Sequence, residues 1–218
     1  MSNPGRPRSR EQAHNQAQGE SRGQARGQAR KEHILAVALK IFAENGYRGA
    51  SIAEIAEGCG LSQPGLLHHF PTKADLLTAV LEYRDRLDAE KFHVDDPAPG
   101  TAALRRYVEI VEHNAHLPGL VKLFAIVTSE AAVNPAHPAR EWAVGRYEKL
   151  IGGLAANLRL GVEDGSIRAD VDTTAVARLV FSMMDGLQSQ WLLNPDQVDM
   201  PGLFRAFVDE VTREITTS

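Results

Sequence analysis

At 218 residues, with 43% hydrophobic and 24% charged side chains, the chain is long enough for a sizeable core and one or two domains. A single cysteine, Cys59, excludes an internal disulfide framework and a cysteine-rich zinc site, and no apolar run reaches the roughly 18 residues of a membrane span or follows the basic N-terminus as in a secretory signal. The net charge of −4 divides into +4 over residues 1–73 and −8 beyond, so a polyanion is drawn to the first third only. The expected setting is the cytoplasm.

Residues 1–29 are rich in Gly, Gln, Arg, Ser and Pro, and are expected to form a disordered basic arm. GQAR occurs there twice in tandem and sets Arg22, Arg26 and Arg30 at i, i+4 and i+8, one stripe if the arm becomes helical on DNA. A solubilising tail or a misassigned start are equal readings. From Arg30 to Asn45 the period becomes helical, with Ile34, Leu35, Ala38, Leu39, Ile41 and Phe42 on one face and Gly46 as the stop. A second helix opens at SIAE, where Ser51 and Glu54 form a reciprocal capping box, and Gly58 and Gly60 close it within two turns. Ser62 caps a third helix with Pro64 in its first turn, and Thr72 and Asp75 cap a fourth that runs through Tyr83.

After the break at 95–100, helical periods recur near 101–115, 118–132, 138–161, 173–193 and 200–216. No segment alternates at period two for long. The expected fold is all-α, about nine helices, divided into the arm (1–29), a helix-turn-helix domain (30–76) and a helical sensing and dimerisation domain (77–218).

Residues 52–69 fit a helix-turn-helix on steric grounds. Ala56 is small where the helices approach, Gly60 suits the positive φ of the turn, and Ile52, Ile55, Leu61 and Leu66 set the inter-helix angle. The wider run AVALKIFAENGYRGASIAEIAEGCGLSQPGLLHHFPTKADLLTAVL (36–81) resembles the DNA-binding domain of the TetR family of transcriptional regulators. Its landmarks are Phe42, Gly46-Tyr47, Ser51, Ile55-Ala56, Gly60-Leu61-Ser62, His69-Phe70 and Lys73. The rest of the chain matches loosely, through 166–172 and 183–193.

The resemblance implies a homodimer whose third helices enter successive major grooves of a palindromic operator, released when a small molecule binds the C-terminal domain. It places Ser62, Gln63, Gly65 and His68 toward DNA, and Tyr47, Ser51, His69 and Lys73 at phosphates. Chemistry adds that Gln63 can pair with adenine N6 and N7, that Pro64 can touch a thymine methyl, and that Arg48 and Lys73 supply neutralising charge. Leu67 stands where the family usually carries Tyr, and Ala50 where Thr often precedes Ser51. Both changes remove hydroxyls, so the head is expected to grip phosphate weakly.

His113 and His116 are spaced i, i+3, but no HExxH motif or cysteine partner accompanies them, so no metal and no cofactor is expected. No nucleophile elbow, phosphate loop or triad appears, and an enzyme is not the expected class. Residues 173–193 are apolar over a wide arc, which points to a dimer interface using Met183, Leu187, Trp191, Phe204 and Phe207. His113, His116, Phe124, Trp142, Met184 and Gln188 are the candidate pocket, with a hydrophobic or amphipathic effector. The alternative class is a constitutive DNA-binding protein with no effector.

Overall fold

Three side-chain caps fix the helix starts in the first third. Ser51 Oγ accepts the Glu54 N–H at 3.1 Å, Ser62 Oγ accepts the Gly65 N–H at 3.2 Å, and Thr72 Oγ1 accepts the Asp75 N–H at 3.0 Å. Glu54 and Asp75 reach back to the cap amides, so the boxes at Ser51 and Thr72 are reciprocal. The computed structural model describes residues 10–217, with side chains from Arg26 onward. Among these residues it contains nine helices: α1 (Arg10–Gly49), α2 (Ile52–Gly58), α3 (Gln63–His69), α4 (Lys73–Phe92), α5 (Ala102–Asn114), α6 (Pro118–Val133), α7 (Arg140–Glu163), α8 (Thr173–Leu193) and α9 (Met200–Ile215).

One boundary differs from the sequence reading, and another is now set. Helix α1 reaches back to Arg10 rather than beginning at Arg30, in keeping with the helix propensity of the Gln, Ala, Arg and Glu residues of the arm. Residues 1–9 of the expected arm lie outside the described residues. Helix α4 continues past Tyr83 to Phe92 and ends where His93 takes the left-handed conformation, φ 52. At Gly46, φ is 70 and ψ 169, so the stop expected there breaks α1 one turn before its end.

The described side chains form two apolar clusters. One joins Ile34, Ala38, Phe42, Ile55, Leu66 and Leu76 to Leu77, Val80 and Leu81, and extends to Leu123 and Val127 of α6 and to Ala139. This cluster crosses the 76/77 boundary expected from sequence. The other joins α5, α7, α8 and α9 around Leu104, Tyr107, Leu158, Phe181 and Phe204. Ile167 and Thr216 make one isolated antiparallel bridge, tying the α7–α8 loop to the end of α9.

Helix α6 therefore has two working faces. Leu123 and Val127 pack into the N-terminal cluster, Leu120 and Thr128 line a cavity beside it, and Phe124 belongs to both. At its first turn the contact with α1 is backbone-close: a Cβ on Gly119 would sit 2.9 Å from the Ala43 carbonyl oxygen.

Candidate nucleic-acid interface and effector cavity

On α3, residues four apart share a face. Gln63 and Pro64, with Leu67 and His68 one turn on, are exposed, whereas Leu66 is fully buried and anchors the helix. Ser62 is exposed, Gly65 and His69 are half-buried, and Ser51 is exposed at the start of α2. Because the Ser51 and Ser62 oxygens act as acceptors in their caps, each hydroxyl proton remains able to donate to a phosphate. Gly65 carries no side chain on this surface, and a Cβ there would crowd Ser62 Oγ at 3.2 Å. Leu67 is the residue that the sequence reading noted only for a lost hydroxyl. It presents apolar surface beside Gln63 and His68.

Beside this face lies a basic and aromatic flank. The Lys73 ammonium sits 4.7 Å from the Tyr47 ring centroid and donates to the Arg48 carbonyl at 3.4 Å. Burial lowers the Lys73 pKa and raises that of Tyr47, with the charge of Glu130 adding to the latter. The Arg48 side chain is exposed, and its guanidinium lies 3.3 Å from Glu130 on α6. Tyr47, Arg48 and Lys73 therefore stand together.

Beneath the α1–α4 cluster, α4, α5, α6, α7 and α8 enclose a cavity of about 50 Å³. A second chamber of about 80 Å³ adjoins it through Asp88, Ile110, Arg146 and Met184. Outside, an open groove of about 700 Å³ runs between α4 and α7 past Asp85, Glu82, Glu90, Asp95, Asp96 and Glu141. The chambers hold buried charge. Arg84 Nη2 lies 2.7 Å from Asp88 Oδ1 and 3.1 Å from Asn114 Oδ1, yet Arg84 Nε and Asp88 Oδ1 lack an aligned hydrogen-bond partner. Burial pushes the Asp88 carboxyl up to about 6 against the pull of Arg84, and lowers the Arg84 pKa. The Tyr147 hydroxyl donates to Asp185 Oδ2 at 2.5 Å, and burial raises the Asp185 pKa. Asp85 accepts from Trp142 Nε1 and Arg146 Nε, both at 3.0 Å. Buried ion pairs seldom stabilise a fold relative to apolar replacements.

Of the six pocket residues expected from sequence, Phe124, Met184 and Gln188 line the cavity. Trp142 lines the outer groove instead. His113 and His116 are corrected. On α5 it is Ile110 and Asn114 that face the cavity, and His113, one residue earlier, turns toward Phe92 and Lys91. His116 lies beyond the end of α5, in a groove beside α1. The expected interface residues also separate: Met183 is exposed and Trp191 and Phe207 half-buried, but Phe204 is fully buried and Leu187 7% exposed in the core. Phe204 has no surface to give a partner. Leu179, 62% exposed, and Leu203, 50% exposed, are apolar surface that the sequence reading did not single out. Their signal was available, since Leu179, Met183 and Gly186 fall on one face of α8.

The family model described as "Bacterial regulatory proteins, tetR family" matches residues 34–80, and that described as "BetI-type transcriptional repressor, C-terminal" matches residues 99–216. The chain is 23% identical over 180 residues to the fatty acid metabolism regulator protein of Bacillus subtilis, covering 81% of this chain and 90% of the relative. Among solved structures, a TetR transcription regulator from Haloarcula marismortui superposes with a TM-score of 0.73 at 23% identity, covering 87% of this chain and all of that one. A putative transcriptional regulator from Saccharomonospora viridis, solved with choline, superposes with a TM-score of 0.72 at 24% identity, covering 88% of this chain and 100% of its own. With a helix-turn-helix model at one end and a repressor-domain model spanning more than half its length, this chain belongs to the TetR family of DNA-binding transcriptional regulators.

Proposed function

We propose that this regulator is a homodimeric repressor, acting in the cytoplasm, whose recognition helix α3 holds a palindromic operator and whose cavity takes a small molecule that ends the hold. The observation that carries this reading is the double role of α6. One face lines the cavity through Leu120, Phe124 and Thr128, and the other belongs to the core under α1 and α4. The cavity has room for only a few waters as it stands, so a larger occupant must displace α6 or its neighbours. Tightly packed helices do not absorb such a shift locally, and it passes to the head.

Base reading falls to Gln63, with Pro64 and Leu67 as apolar contacts for thymine methyls and His68 beside them. Ser51, Ser62, His69, Tyr47, Arg48 and Lys73 hold phosphates. The second copy docks on the exposed stripe of α8, where Leu179 and Met183 continue into Leu203 and Phe207 of α9.

The effector class follows from the charge of the site. Of the hydrophobic and amphipathic effectors expected, an amphipathic one with a cationic head fits better, because Asp88 and Asp185 are desolvated and the outer groove sets six carboxylates against Arg86, Arg146 and Lys149. A cationic head exchanges with Arg84 at Asp88, with the Tyr147 hydroxyl at Asp185 and with Arg146 over the face of Phe124. The choline held by the Saccharomonospora viridis protein is a ligand of that chemistry.

A thermal-shift screen of organic cations, anions and neutral compounds, followed by DNA retention, tests the reading. Cations that raise the melting temperature of the free protein should release operator duplex. Stabilisation only by anions would exclude the cationic class, and stabilisation without release would favour a constitutive DNA-binding protein.

A further inference from the structure

The charge of Arg48 is already engaged. Its guanidinium pairs at 3.3 Å with Glu130, the last carboxylate of α6, even though the arginine side chain is 87% exposed. The carboxylate is held from behind. His137 Nε2 lies 3.4 Å from the other oxygen of Glu130, and the His137 side chain is 8% exposed. His137 Nδ1 accepts the Ala139 N–H at 3.2 Å, so the ring proton sits on Nε2, facing Glu130. Arg140 adds a clamp on the same turn by donating to the Ala131 carbonyl at 2.6 Å.

The two partners of this pair thus differ in mobility. Glu130 is fixed to the α6–α7 corner, while Arg48 is a long side chain at the exposed end of α1. An exposed ion pair contributes little to stability and is readily exchanged for a better partner. A phosphodiester offers the same charge with several acceptor oxygens, and Tyr47 and Lys73 stand beside Arg48 to receive it. Glu130 sits on the helix whose Leu120, Phe124 and Thr128 line the cavity, so its distance from Arg48 depends on where α6 lies.

We propose that Glu130, positioned by His137, competes with DNA phosphate for Arg48, holding the arginine in the free protein and yielding it on the duplex. The competition makes the position of α6 a control on how strongly the head grips the DNA backbone. It rests on the placement of Arg48 at the DNA face, and Glu130 is here a positioning residue.

The test titrates full-length protein against a fluorescent duplex of random sequence, so that no operator is needed. Glu130→Gln should tighten binding roughly two- to fivefold, the scale of an exposed pair. In an Arg48→Gln background the same substitution should give no gain, and Glu44→Gln, which removes another exposed carboxylate of the head, should act alike in both backgrounds. An equal gain from Glu130→Gln in both backgrounds would reduce Glu130 to general repulsion and overturn the proposal. Should Glu130→Gln melt without cooperativity, Glu130→Asp, one methylene too short to keep the pair, serves the same comparison. Weaker binding by Arg48→Gln with no effect of Glu130 overturns the competition alone. Indifference to both substitutions overturns the placement of Arg48 on DNA.

Discussion

Gln63 and Asp88 carry opposite halves of the account, one on the surface and one inside. Gln63 is an exposed first-turn residue whose amide can form two hydrogen bonds to adenine. Gln63→Ala is expected to weaken binding to selected operator by about 1–3 kcal/mol and to leave random duplex nearly unchanged. Competition assays on both DNAs measure this, and equal losses would remove the base-reading role. Asp88, inside, is raised to about 6 by burial against an ordinary value near 3.9. An acid with a higher folded than unfolded pKa binds its proton more tightly in the native state. Its burial cost is therefore absent below about pH 4 and fully felt above about pH 6, so stability falls across that window. Asp88→Asn removes this slope, and its melting temperature relative to wild type should rise from about pH 4 to pH 7, by an equivalent of the order of 1–3 kcal/mol. A constant offset between the two melting curves would place Asp88 in contact with water.

At the scale of elements, α6 is where close packing turns into coupling. The Gly119 position touches the Ala43 carbonyl, which belongs to the backbone of α1 and cannot swing aside. Gly119→Ala is expected to cost about 1–3 kcal/mol by overpacking and to weaken duplex binding by shifting α6. Gly145→Ala, where a Cβ meets nothing, serves as the control and should leave the melting temperature level or slightly higher. The helices themselves were legible in the sequence wherever a cap or a break was local: the Ser51 and Thr72 boxes, the Ser62 cap and the Gly46 stop lie where their chemistry put them. The cavity was less legible. Arg84, Asp85 and Asp88 drew no reading from the sequence, where they alternate with the charged Glu82, Arg86 and Glu90. Yet Leu77, Leu81, Arg84 and Asp88 follow one another at spacings of four, three and four, and so continue the buried face of α4. That continuation of a core face by charged residues was the available signal. His113 failed as a pocket candidate because a shift of one residue rotates a side chain by about 100° around the helix, and His116 because α5 ends before it.

For the whole molecule, the proposed function requires two heads at a fixed spacing, and one chain supplies one. The exposed apolar surface of α8 and α9 is the proposed face for the partner, and Leu179 stands 62% exposed within it. Leu179→Glu should yield a folded monomer by sedimentation and light scattering, with operator affinity falling toward that of random duplex. A variant that remains dimeric would move the interface elsewhere. The dimer matters to the central claim, because an effector acts on repression only through a difference in affinity between two arrangements of the paired heads. Cavity occupancy and operator binding must then be reciprocal: the factor by which the effector weakens DNA equals the factor by which DNA weakens the effector. The direct measurement is calorimetric titration of a stabilising cation into the free protein and into its operator complex, alongside DNA titrations with and without that cation. The account predicts weaker binding in both directions by the same factor, whereas a cation that binds the free protein and the operator complex equally well would contradict it.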